Sequence, residues 1–187
     1  GFKQGTRTMR TRITLLAATL ACGFMTFASA QVPPEPVKDQ LPLLQSKDPR
    51  LAANKKLVFD MYREVVNAGR TANVTKYFTE GYIQHNPNVK SGRQALVDYI
   101  KQTRPERPIP PQITFPVIAI TAEGNYVTVA TVSYEDDLEK PGEKFVTTHF
   151  DMYRIENGLV AEHWDNVGRS SASKTKDPNV TNRPKQP

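Results

Sequence analysis

The sequence predicts an α+β domain in which helices come first and an antiparallel sheet follows. Three observations predict it. Apolar residues recur at helical spacing from Ala52 to Ala68. From Ile113 onward, segments alternate apolar and polar residues with the period of a strand. The last two of these segments flank Asn157-Gly158, the strongest short hairpin signal a sequence offers.

Taken in order, Leu57/Val58, Met61/Tyr62 and Val65/Val66 form the apolar face of the first helix, which Gly69 stops. A short second helix is expected from Val74 to Phe78. Tyr82-Ile83-Gln84-His85-Asn86-Pro87 is brief, extended and closed by proline. Ser91-Gly92-Arg93-Gln94 matches a capping box and opens a helix through Leu96, Val97 and Ile100 to Gln102. Pro105, Pro108, Pro110 and Pro111 exclude any helix beyond it. A strand from Ile113 to Thr121 carries Pro116, which argues for an edge or a bulge. Tyr126 to Tyr134 is the next strand, and Asp136 to Glu143 is a charged, solvated loop. The closing hairpin pairs Thr147–Ile155 with Leu159–Asp165.

The flanks differ from this core. Met9-Arg10-Thr11-Arg12 and the apolar run Ile13 to Phe27 lead into Ala28-Ser29-Ala30, the small-x-small pattern of a signal-peptide cleavage site. The run is shorter than the ~20 residues of a membrane span. The sequence therefore predicts residues 1–30 as leader and signal peptide, a mature start at Gln31, a periplasmic or secreted location and no membrane insertion after cleavage. A lipoprotein anchor at Cys22, the single cysteine, is the weaker alternative. Residues 31–50, with five prolines, read as a linker, 51–168 as one domain, and 169–187 as a disordered basic tail.

Net charge is +6, but residues 1–30 hold four basic and no acidic residues. Within residues 51–168 there are 13 basic and 15 acidic side chains. The folded part is slightly acidic, so nucleic acid is excluded as a partner. Cleavage after Ala30 also removes the only thiol, and with it any disulfide framework or thiol nucleophile.

Two of the three histidines fall on the closing hairpin. Alternation puts His149, Asp151 and Tyr153 on one face of its first strand and Phe150 and Met152 on the other. His163 and Asp165 share a face of the second strand, unless a bulge turns His163 outward. Imidazole beside carboxylate is the raw material of acid/base chemistry. No pair of histidines with a carboxylate stands at helical metal-binding spacing, so no metal is expected.

At this point Tyr82–Pro87, the Gly92–Ile100 helix, His149–Arg154 and Gly158–Asp165 together resemble the SnoaL-like polyketide cyclases of the nuclear transport factor 2-like superfamily. The resemblance spans Ala52 to Val167. It implies a cone, with helices closing one face of a strongly curved, mainly antiparallel sheet around an apolar pocket. It further implies cofactor-independent chemistry such as aldol cyclisation or isomerisation, and dimerisation through the sheet's outer face. The cyclases' acid/base aspartate matches Asp165, its polar neighbour matches His149 or Asp151, and an early Asn-containing segment matches His85-Asn86. This chain has Asp151 where the cyclases have histidine, and His149 where they have glutamine.

These readings give Asp165, His149, Asp151 and His85 as candidate catalytic residues. Tyr82, Asn86, His163 and Trp164 are candidate substrate-binding residues, with Trp164 also suited to packing or a homodimer interface. The expected function is acid/base catalysis on a small apolar carbonyl compound. The alternative is a non-catalytic periplasmic binding module of the same fold.

Overall fold

The computed structural model describes Gly1 and residues 32–170. The leader, Cys22, the Ala30 cleavage site and the tail from residue 171 lie outside the described residues. Among those described, no helix is long and apolar enough to cross a membrane.

The order of elements is the expected one. Helix α1 spans Pro49–Met61. Asp48 caps it, its Oδ1 accepting the N–H of Arg50 at 2.8 Å, and Pro49 sits where its missing N–H costs nothing. The same helical run continues as a π-helical turn, Tyr62–Asn67. The sequence predicts one uniform helix here; the wider turn begins at Tyr62. Gly69 then reverses the chain at φ 65°, and a Cβ there would lie 2.9 Å from the carbonyl oxygen of Pro105. Only glycine fits.

Short helix α2, Val74–Tyr77, runs directly into strand β1, Phe78–Gln84. Helix α3 spans Arg93–Thr103. Its capping box does not form: Gly92 is the N-cap at φ 102° and no side chain caps the helix. Ser91 is committed elsewhere, its Oγ accepting the N–H of Gln84 at 2.9 Å. A hydroxyl that could have capped the helix instead fixes the end of β1.

Strands β2 (Val117–Glu123), β3 (Tyr126–Asp136), β4 (Lys144–Glu156) and β5 (Leu159–Asp165) complete one five-stranded sheet of order β1-β5-β4-β3-β2. All neighbours are antiparallel except β1 and β5, which are parallel. The turn between β4 and β5 places Asn157 at φ 50° and Gly158 at φ 75°, as a type I′ hairpin requires.

Strand β2 starts after Pro116 and not at Ile113, because Ile113 is paired by a side chain. Gln40 donates Nε2–H to the Ile113 carbonyl and accepts its N–H through Oε1, both at 2.9 Å. The proline-rich stretch expected as a linker is thus fastened to the domain. Val37 adds a backbone bond to Val117 at 2.8 Å, and Leu43 and Leu44 pack on the core.

The core lies between the helices and the inner face of the sheet. Val58, Met61 and Val65 meet Val117, Val127, Val129 and Val160, all essentially without solvent exposure. Burying each such side chain contributes about 1.5–3 kcal/mol. This is the helix-covered α+β sheet that the sequence predicts.

Candidate functional site

A cavity of about 340 Å³ opens between the helices and the inner sheet face. Met61, Val66, Phe78, Leu96 and Phe115 give it apolar walls. Much of its polar lining comes from the strands, and register explains why. Asp151 lies opposite Asp165, and Tyr153 opposite His163, across the β4–β5 ladder; Thr131 lies opposite His149 on β3. Directly opposed residues share a face, so one alternation delivers all of them to the cavity.

Asp151 is the hub. Tyr62 donates its hydroxyl proton to Oδ2, and Tyr153 donates to the Tyr62 oxygen at 3.1 Å. His163 Nε2 lies 2.7 Å from Oδ1, and His149 Nε2 approaches the same oxygen at 3.3 Å. Burial alone would raise the Asp151 pKa, but the hydrogen bonds from His149, His163 and Tyr62 and the charge of His163 outweigh it. They hold the carboxyl well below its usual range. Asp151 in turn raises the pKa of His149, against the opposing effect of the ring's burial.

The orientation of His163 follows from its neighbours. Gln84 Oε1 accepts the backbone N–H of Asn86 at 2.9 Å, which fixes that atom as oxygen. His163 Nδ1, 2.7 Å from the same oxygen, therefore donates to it. Nε2 faces Asp151 Oδ1. Gln84 Nε2 donates to the hydroxyl of Tyr82 at 3.0 Å, and the Tyr153 ring stacks on His163 with centroids 4.6 Å apart. Burial keeps the Tyr62, Tyr82 and Tyr153 hydroxyls protonated. The tyrosines are donors and not bases.

Asp165 stands apart from this network. Asn86 donates Nδ2–H to Oδ2, and the Val167 N–H donates to Oδ1 at 3.1 Å. The side chain is only part-buried and lines the cavity. One nitrogen or oxygen each from His149, Asp151 and Asp165 lie within 4.8 Å of one another. These three are also the residues that would hold a cation, although each carboxylate oxygen already accepts a hydrogen bond.

A family model for the SnoaL-like domain matches residues 58–163, more than half the chain. The chain belongs to the SnoaL-like domain family. No curated protein matches it. Solved structures similar to it include TsrD from Streptomyces laurentii, at 20% identity and TM-score 0.42 over 62% of this chain and 87% of that one. A candidate SnoaL-like polyketide cyclase from Jannaschia sp. CCS1 is similar at 17% identity and TM-score 0.46, over 65% and 91%. A candidate polyketide cyclase from Acidithiobacillus ferrooxidans is similar at 18% identity and TM-score 0.44, over 60% and 86%.

This SnoaL-like cavity gathers six of the eight candidate residues: Asp165, His149, Asp151, Tyr82, Asn86 and His163. His85 and Trp164 do not line it, which corrects their expected placement. The backbone of His85 bonds to the His163 carbonyl at 2.9 Å, which continues the strand for one residue past Gln84. Alternation then turns the ring to the opposite face. There Nε2 pairs with Glu162 at 2.7 Å, and the ring stacks on Trp164 with centroids 4.9 Å apart. The bulge that might have turned His163 outward falls instead between Arg154 and Ile155, below the site.

The polar residues of the cavity that were not candidates include Tyr62, Tyr153 and Gln84. Tyr62 reads as part of the apolar face of the first helix and Tyr153 only as a face-mate of His149 and Asp151, and nothing local marks their hydroxyls as partners. Gln84 stands inside the Tyr82–Pro87 segment, but its role depends on His163, 79 residues away.

Proposed function

We propose that the cavity carries out cofactor-independent acid/base chemistry on a small apolar carbonyl compound, of the aldol or isomerisation type. The observation that carries this reading is the division of labour between two carboxylates in one cavity. Asp151, saturated by three donors and strongly acidic, is a poor base and a good anchor. Asp165 keeps unused lone pairs and faces the same space, so it takes the proton α to the carbonyl. His149, whose protonated form Asp151 favours, donates to the developing enolate oxygen. A donor aimed there contributes about 2.7–4 kcal/mol to the transition state.

A binding module without turnover has one observation in its favour: both oxygens of Asp165 already accept hydrogen bonds. The two readings separate on octan-2-one in D2O, followed by proton NMR. Catalysis predicts enzyme-dependent α-hydrogen exchange; binding with exchange no faster than buffer selects the module.

The reading extends to the mature protein, exported after cleavage at Ala30 and paired as a homodimer. Phe150 and Tyr126 support pairing, since they stand 47% and 44% exposed on the sheet face away from the cavity, beside Met152 and Trp164. Sequencing the N-terminus of the exported protein tests the first part; a chain retaining residues 1–30 contradicts it.

A further inference from the structure

Among the described residues, Arg104 is the only lysine or arginine that lines the cavity. It is the C-cap of α3, where its backbone N–H bonds to the Ile100 carbonyl at 2.8 Å. Among the described residues its guanidinium has no carboxylate partner and no hydrogen bond. Its one contact is the ring of Tyr99, whose centroid lies 5.6 Å from Cζ. That contrasts with Arg63, Arg70 and Arg154, each paired with an acid. The two cavity carboxylates do not pair with Arg104 either: Asp151 is held by Tyr62 and His163, and Asp165 by Asn86 and Val167.

A cation resting on an aromatic face is positioned without being neutralised, and its in-plane N–H donors stay available. The planar fork of guanidinium matches a carboxylate in two parallel hydrogen bonds. The apolar part of the same lining is Met61, Val66, Phe78, Leu96 and Phe115 among others. The cavity lining therefore combines a cation, apolar walls and acid/base side chains.

We propose that the ligand is an anionic amphiphile, an aliphatic carboxylic acid whose carboxylate is received by Arg104. Taken with the function proposed above, on which this part rests, the substrate class is an oxo acid: the carboxylate at Arg104, the carbonyl at His149 and Asp165. A neutral ketone then fills the body of the cavity and leaves the cation unanswered.

Calorimetric titration of the full chain with octanoate and with octan-1-ol near neutral pH tests this. Octanoate binds more tightly than octanol, and rising salt weakens the octanoate complex alone. Arg104→Met keeps an unbranched apolar stem and removes the charge. It lowers octanoate affinity by about 10- to 100-fold, the usual worth of a charge-assisted hydrogen bond, and leaves octanol affinity unchanged. Arg104→Lys, which retains the charge without the fork, falls between, and it serves as the variant if methionine disturbs the fold. Equal binding of the two ligands by the wild type overturns the proposal, as does a variant that weakens both equally. Octanoate preference without α-exchange of octan-2-one refutes the acid/base reading alone; exchange without octanoate preference refutes this one alone.

Discussion

Asp151 shows how much one side chain can decide. It is buried, ionised and held by groups from three elements, α1's π-helical extension, β4 and β5. Asp151→Asn leaves His163 without its anion and sets an amide N–H against donors; breaking such a buried pair costs about 3–5 kcal/mol. Urea unfolding of the variant measures it. Because the folded pKa of Asp151 is depressed, its contribution is present above the unfolded value of about 3.9 and is lost as pH falls through the folded one. His149 has the opposite sign. Its raised pKa gives stability that is present below about 6.5 and lost as pH rises through the folded value. Thermal unfolding should show a lower midpoint at pH 8 than at pH 6, and His149→Gln should shrink the difference. The hairpin alone made His149, Asp151, His163 and Asp165 legible, since alternation needs no tertiary knowledge. The remaining donor to Asp151 was illegible, because Tyr62 is 89 residues away and looks like any core tyrosine.

At the scale of elements, the sequence marks periodicity well and polar side chains that substitute for backbone poorly. The closing hairpin, α1 and α3 were visible in their spacing and their Asn-Gly and Gly signals. Gln40 and Ser91 were not. Gln40 acts as a strand neighbour for Ile113, and Ser91 holds the end of β1, so a linker became part of the domain and a capping box dissolved. Gln40→Ala strips partners from the buried N–H and C=O of Ile113, at about 1–3 kcal/mol for each group left unmade. A drop of that size in urea stability is expected, with the cavity residues unmoved. Gly69→Ala combines strain at positive φ with a contact to Pro105 that has nowhere to go, and exceeds the ~1 kcal/mol of an unobstructed glycine. Differential scanning calorimetry of the two variants ranks these effects.

For the molecule as a whole, the two faces of one sheet divide the work. The inner face carries the cavity; the outer face carries Phe150, Tyr126, Met152 and the His85–Trp164 stack. Sedimentation at micromolar concentration should give a dimer, and Phe150→Lys, a charge at its centre, should shift it towards monomer. A wild-type monomer removes that part of the account. The central claim concerns Asp165, and the direct measurement is the α-exchange rate of octan-2-one in D2O for wild type, Asp165→Asn and His85→Ala. Asparagine keeps the shape and one of the two acceptors that meet Asn86 and Val167, but it cannot take a proton. The account predicts a loss of about 10²–10⁴ for Asp165→Asn and a wild-type rate for His85→Ala, whose ring faces away from the cavity. Equal rates in wild type and Asp165→Asn, or an equal loss in His85→Ala, would contradict it.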